Sequence, residues 1–451
     1  MSTSTTDTRD VSITKVAVAS LIGTTIEFYD FFIFGTAAAL VFGKLFFPDL
    51  NPLAGTLAAF ATFGVAFAAR PLGAVIFGHF GDRLSRKRML VTSLLMMGLG
   101  TIAIGLLPTY AHVGILAPVL LVLCRLLQGL ALGGEWGGAV LMAVEHAPAN
   151  RRAFYGSWPQ IGVPLGLVLA TGLFYLIQQL PEAQLESWGW RVPFLASGLL
   201  VAVGLYIRLK IEDSPAFKKI KATRQEERFP AATVFREDGP SVLLGALSVA
   251  AANVPFYMAT VFALTYGVDE GVSRNTVLGA VCIASLIQMF TMPLATGLCD
   301  KFGRRPVLLT GCALTVLMGF PFFWLLDTHN TAAIYLALII ALPLCHALSY
   351  GPQASFIPEL FPTQLRYSGA GIAYTLGGLL FSAPVPFVAT ALLDRFEGAS
   401  PLALYIMVAG VLTFVAVAIA RETRQDDIAW STRPAPPGDP RAAAALVAYD
   451  A

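Results

Sequence analysis

Twelve apolar stretches, each long enough to cross a bilayer as a helix, follow one another through this chain with short polar connections. A helix needs ~20 mostly apolar residues to span a ~30 Å hydrocarbon core. Inside that core every backbone N–H and C=O must pair within the chain, which leaves only helices or closed barrels. The windows run over 16–43, 55–80, 89–108, 113–142, 153–180, 190–209, 241–266, 275–298, 306–326, 332–357, 366–391 and 401–420. The first and fourth are long enough to tilt or to project beyond the membrane. The fold class that follows is an all-α integral membrane protein of twelve transmembrane helices.

A composition of 56% hydrophobic and 13% charged residues does not fit a water-soluble surface, so the lipid bilayer is the first expected partner. A net charge of +2 offers no broad basic face, which sets nucleic acid aside. The opening Met1 to Asp10 carries Asp7, Arg9 and Asp10 instead of a basic region, and the first apolar stretch is too long for a signal peptide. It reads as a retained first span. Five single cysteines (Cys124, Cys282, Cys299, Cys312, Cys345) lie almost all within apolar runs, with no C-x-x-C pair and no metal-ligand spacing to histidine. They read as buried thiols, and no metal or cofactor is expected.

One extended polar stretch, Lys210 to Pro240, divides the spans six and six. The expected organisation is an N-terminal segment 1–15, a first six-helix bundle 16–209, a linker 210–240, a second bundle 241–420 and a disordered tail 421–451. That tail carries Pro434, Pro436, Pro437 and Pro440. Positive residues resist translocation, and they gather in the loops after even-numbered spans: Arg83, Arg86, Lys87 and Arg88, then Arg151 and Arg152, then Lys301, Arg304 and Arg305. Both termini and the linker are therefore expected to be cytoplasmic, in the inner membrane of a bacterial cell, and a monomer is expected.

Two of those loops repeat a pattern. Gly78-His-Phe-Gly-Asp-Arg-Leu-Ser-Arg-Lys-Arg88 follows span 2 and Gly297-Leu-Cys-Asp-Lys-Phe-Gly-Arg-Arg-Pro306 follows span 8, which puts Asp82 and Asp300 218 residues apart. Glu145 and Arg152 after span 4 match Glu359 and Arg366 after span 10 at an offset of 214. Two independent correspondences at nearly one offset indicate a duplicated six-span unit, the plan of transporters that rock two bundles about a midplane site.

A charge at the bilayer centre costs roughly 2.5–3.5 kcal/mol on insertion scales, so deep charges must pair or face water. Glu27 lies about 11 residues into span 1, ~16 Å deep at 1.5 Å per residue, and Asp30, three residues on, shares its face. A proton carrier needs an acid whose charged form is costly enough to be neutralised during the cycle, and burial beside a second carboxylate supplies that cost. The alternative is fixed ion pairing of Glu27 and Asp30 with Arg70 and Arg125. Arg125, Gln128, Leu132 and Glu135 form a stripe on span 4 that should face the cavity. Gly129, Gly133 and Gly137 suit close helix packing. Arg70 is also deep enough to act as a counterion, whereas Arg191 beside Trp188 reads equally as an interfacial anchor or a solute contact.

The second half offers amides, phenols and one imidazole: Asn253, Tyr257, Gln288, His346, Tyr350, Gln353 and Tyr374. Such groups suit hydroxyls and carbonyls. His346 reads first as an interior residue and second as a proton relay. Trp158 and Gln160 in span 5 could line the first half of the cavity.

The loop Gly78 to Arg88, placed between spans 2 and 3, resembles the signature of the major facilitator superfamily. Further stretches narrow the match: Gly23-Thr-Thr-Ile-Glu-Phe-Tyr-Asp-Phe-Phe-Ile-Phe-Gly35, Arg70-Pro-Leu-Gly73, Arg125-Leu-Leu-Gln-Gly129, Gly133-Gly-Glu-Trp-Gly-Gly138, Trp188-Gly-Trp-Arg-Val-Pro193, Glu212-Asp-Ser-Pro215 and Arg366-Tyr-Ser-Gly369. Together they resemble the metabolite:proton symporters, a family that includes shikimate, α-ketoglutarate, citrate and proline/betaine transporters. The resemblance covers about Ile13 to Arg421, and Ala58 to Met89 is nearest the shikimate branch.

That resemblance implies proton-driven uptake of a small carboxylated metabolite by alternating access. Asp30 matches the family's acidic position, with Glu27 and Glu135 as further coupling candidates. It also implies a cytoplasmic gate built from Asp82, Arg83 and Asp300, to which the repeat adds Glu145, Arg152, Glu359 and Arg366. An efflux antiporter of the same superfamily would share the architecture. A membrane enzyme is disfavoured, because no metal cluster, nucleophile constellation or phosphate loop stands out in the sequence.

Overall fold

A computed structural model of the chain describes residues 13–83, 86–133, 135–145, 147–210, 230–362, 365–396 and 398–424. The expected N-terminal segment up to residue 12, most of the expected linker and the tail from residue 425 lie outside the described residues. So do the side chains of Asp82, Arg83, Glu135 and Glu145.

The described residues form helices and connections, with no strand among them. Ten helices are long and apolar enough to span: α1 (Val16–Phe46), α2 (Pro52–Phe77), α4 (Leu116–Leu141), α5 (Arg152–Ile177), α7 (Thr233–Asp269), α8 (Arg274–Phe302), α9 (Arg304–Leu326), α10 (Thr331–Glu359), α11 (Arg366–Arg395) and α12 (Ser400–Ile419). The shorter α3 (Val91–Leu106) and the bent pair Glu182–Gly189 with Arg191–Ile207, whose second part we term α6, complete the twelve. Helical structure resumes at Pro230, within the stretch expected to be linker.

Lipid as solvent inverts the usual pattern. Large apolar side chains such as Phe290 (73%) and Leu199 (72%) point outward, while Arg125, Gln128, Gln160, Gln288 and Gln353 are fully enclosed. Within the first half α1 packs on α5, α2 on α4 and α3 on α6. The halves meet chiefly where α5 runs along α8 and α2 along α11.

Glycine sets how closely α2 and α4 approach. A Cβ on Gly129 would lie 2.2 Å from Ala66 O, and one on Gly133 2.0 Å from Arg70 O. Any larger residue would force the two helices apart and move Arg70 and Arg125 with them.

Among the described residues, π-helical turns occur at Ala38–Phe42, Leu185–Gly189, Met258–Phe262 and Ile340–His346. Those in α1 and α7 lie 220 residues apart, so the internal repeat extends to a local backbone distortion. Such turns break the i→i−4 ladder and often mark functional sites. In α7 the turn follows Pro255, and in α10 it contains Pro343, each ring removing a backbone donor.

Candidate functional site

Arg125 is wholly buried on α4. Its Nη1 donates to Gln128 Oε1 at 2.8 Å, Gln128 Nε2 donates to Thr101 Oγ1 at 2.7 Å, and Thr101 Oγ1 donates to Asp30 Oδ2 at 2.8 Å. Ser197 Oγ donates to Asp30 Oδ1 at 2.5 Å. Guanidinium and carboxylate are thus joined through an amide and a hydroxyl instead of by a direct ion pair. Asp30 points toward α3 and α6, inside the first bundle. Glu27 lies within electrostatic reach of Asp30 and also of Tyr350 and Tyr374, so it looks toward the second bundle.

Phenyl rings carry much of the remaining contact with the two arginines. Arg125 Cζ sits 3.9 Å over Phe34 and within 5.6 Å of the Phe31 and Phe63 centres; Arg70 Cζ sits 4.1 Å over Phe67 and 4.9 Å from Phe31. Such contacts contribute about 0.5–1 kcal/mol each at exposed sites and about 2 kcal/mol or more when desolvated. Tyr257 meets Phe31, Phe63 and Phe67 edge-on from the other half. Both Arg70 Nε and Arg125 Nε are buried without a hydrogen-bond partner. Nε with its neighbouring Nη is an edge that can grip a carboxylate as a fork.

Across the boundary the expected polar residues separate into three groups. Gln288 Nε2 and His346 Nδ1 lie 2.5 Å apart, with His346 sandwiched between Phe256 at 4.4 Å and Tyr350 at 4.7 Å. Gln353 bonds the main-chain oxygens of Ser248 and Ser349, within its own half. Gln160 accepts from the Trp136 indole and donates to the Tyr350 main-chain oxygen, and the Tyr350 and Tyr374 hydroxyls bond each other. Asn253 is buried on α7 and Trp158 is half-buried on α5.

At the signature-loop face, Asp300 accepts from the main-chain N–H groups of Ala153 and Phe154 at 3.0 and 2.9 Å, where the α5 dipole is positive. Arg304 pairs bidentately with Glu359, Nε to Oε2 at 3.1 Å and Nη2 to Oε1 at 2.9 Å, and Thr423 Oγ1 also donates to Glu359. Arg152 lies within electrostatic reach of Glu359, and Arg366 is buried at the start of α11. Gly303, at φ +107°, turns the chain so that Glu422 bonds the N–H groups of Arg304 and Arg305; a Cβ there would lie 2.7 Å from Glu422 Oε2. Arg191 caps α3 through the Gly105 and Leu107 carbonyls.

Sequence reasoning passed over Thr101, Ser197, Trp136, Arg304 and Thr423. Hydroxyls inside apolar runs carry no signal of their own, but the buried cost of Asp30 required donors from some neighbouring span. Arg304 was visible only as part of a basic loop.

The Major Facilitator Superfamily model matches residues 20–386. The chain is 43% identical to the inner membrane metabolite transport protein YhjE of Escherichia coli (strain K12), over 92% of this chain and 95% of that one. It is 39% identical to the shikimate transporter of the same organism, over 91% and 95%, and 32% identical to its proline/betaine transporter, over 94% and 86%. The structure of the proton:xylose symporter XylE bound to 6-bromo-6-deoxy-D-glucose superposes with a TM-score of 0.70 at 17% identity, covering 91% of this chain and 96% of that one, which shows a shared fold. The chain is a multi-pass membrane protein and a secondary transporter, and it belongs to the Major Facilitator Superfamily.

Proposed function

We propose that this transporter is a proton symporter that imports a small carboxylated metabolite, shikimate or a related organic acid, by alternating access in the inner membrane with both termini cytoplasmic. The observation that supports the reading best is the chain Arg125–Gln128–Thr101–Asp30–Ser197. An ionised Asp30 accepts from both hydroxyls, and a protonated one donates to either after the hydroxyl turns. The site therefore accommodates both states of the acid without moving a helix.

In this mechanism the solute carboxylate docks on the free Nε edge of Arg125 or Arg70 and draws the guanidinium charge toward itself. Gln128 and Thr101 transmit the change, Asp30 takes up a proton, and the loaded carrier closes with less uncompensated charge. Tyr257, Asn253, Gln288 and His346 face the solute from the second half. Asp300, Arg152, Glu359 and Arg366 hold the cytoplasmic side shut until the halves rock, with Asp82, Arg83 and Glu145 as their counterparts in the repeat.

The test is accumulation of labelled shikimate by proteoliposomes of purified protein under an imposed pH gradient at zero membrane potential. Uptake that follows the gradient supports symport. Exchange without any response to the gradient contradicts it.

A further inference from the structure

Trp136 lies outside the relay and takes part in a closed ring of four residues, two from each half, in which one link is the Tyr350 main-chain oxygen. Its indole stacks on Tyr374 with centroids 3.7 Å apart and planes 5° from parallel. Its Nε1–H donates to Gln160 Oε1 at 3.2 Å, Gln160 Nε2 donates to the Tyr350 main-chain oxygen at 3.1 Å, and the Tyr350 and Tyr374 hydroxyls are 3.3 Å apart. Trp136 and Gln160 belong to α4 and α5; Tyr350 and Tyr374 belong to α10 and α11. Trp136 is 6% exposed, Gln160 0% and Tyr350 3%, so water does not compete for the two Gln160 bonds; Tyr374 is half-buried.

The ring's position gives it a task. Trp136 follows Arg125 by eleven residues on α4, ~16 Å nearer the signature-loop end at 1.5 Å per residue. Arg70 lies within electrostatic reach of Tyr374, and Glu27 within reach of Tyr350 and Tyr374. The ring is therefore a floor beneath the charged centre and above the Asp300 and Glu359 contacts. No rocking of the halves can open a path to the signature-loop side without breaking the Trp136–Tyr374 stack and the Gln160–Tyr350 hydrogen bond, the two ring contacts that cross the boundary.

We propose that Trp136 is a positioning residue of the transport cycle. With Tyr374, Gln160 and Tyr350 it forms an aromatic latch that holds the chamber closed toward the signature-loop face, and its parting is the step that releases solute on that side. The latch rests on the transporter fold and is independent of which solute or coupling ion is used.

Two buried reporters lie where the halves touch. Ala354 on α10 abuts Gly156 of α5 toward the signature-loop face, and Val261 in the π-turn of α7 abuts Gly35 of α1 on the other side of the centre. Ala354→Cys and Val261→Cys are labelled by a small thiol reagent in purified full-length protein, above the background of its own five cysteines. In the Trp136→Leu background the expected result is labelling at 354 about tenfold faster and at 261 slower. The exchanged pair Trp136→Tyr with Tyr374→Trp keeps the stack and should return both rates to within about twofold of the parent.

Unchanged rates at both positions, or equal acceleration at both, would overturn the latch, the second outcome indicating general loosening. If Trp136→Leu does not fold, Gln160→Leu removes two hydrogen bonds of the ring, including the one that crosses the boundary. It must then produce the same pair of opposite changes, and its failure to do so would equally reject the proposal.

Discussion

Asp300 of α8 accepts from the main-chain N–H of Phe154, the third residue of α5, at 2.9 Å, so a carboxylate of one half holds the helix end of the other. Ala153 donates to the same carboxylate. A charge at a helix N-terminus contributes roughly 0.3–1 kcal/mol at the surface and up to ~2 kcal/mol when partly buried. Asp300→Asn keeps an acceptor and loses the charge. The expected shift is about fivefold toward the state open on the signature-loop face, read by thiol access at that mouth; unchanged access would show that the contact does not bias the cycle.

Arg304 and Glu359 are each almost wholly buried and bonded in a fork. Removing one partner of such a pair typically costs about 3–5 kcal/mol, because the other charge is left uncompensated. Glu359→Gln should therefore lower the thermal unfolding midpoint in detergent by several degrees. Arg304→Gln with Glu359→Gln should recover most of the loss, and a double variant less stable than either single one would contradict this account.

The fold was legible in the sequence where polarity changes along the chain. Basic loops and uninterrupted apolar windows mark the helices, and the repeat of Asp82 and Asp300 marks the halves. Legibility fails where it depends on how each helix is rotated. Most spans are apolar on nearly every face, so little in the order of residues tells that Asp30 turns toward Ser197 and Thr101, or that Trp136 turns across the boundary to Tyr374. The stripe of Arg125 and Gln128 was readable because both are costly in lipid. Thr101 and Ser197 were not, since a hydroxyl can return its hydrogen bond to its own helix, as Thr101 also does to Met97.

Thr101 is the joint between Gln128 and Asp30. Thr101→Val keeps the shape and removes the hydroxyl, leaving Gln128 Nε2 and Asp30 Oδ2 each short of a partner at about 1–3 kcal/mol. Counterflow of solute at equal concentrations should survive within a few-fold. Accumulation driven by a pH gradient should fall at least tenfold. Equal losses in both assays would place Thr101 in folding instead of coupling.

Arg125 separates charge from shape. A lysine ammonium retains the positive charge but cannot bond Gln128 and the Phe63 carbonyl while lying flat over Phe34. Arg125→Lys and Arg125→Ala should both lose transport in purified, folded protein. Near-normal affinity and coupling in Arg125→Lys would reduce the residue to a counterion.

Asp30→Asn tests the central claim most directly. The amide keeps an acceptor for one hydroxyl and cannot carry a proton through the cycle. Proteoliposomes of the variant should exchange labelled solute by counterflow at a measurable rate that is flat against pH, while accumulation under an inside-alkaline pH gradient falls to the level of protein-free vesicles. Accumulation at the parent level, with the same dependence on the gradient, would contradict the assignment of Asp30 as the coupling acid.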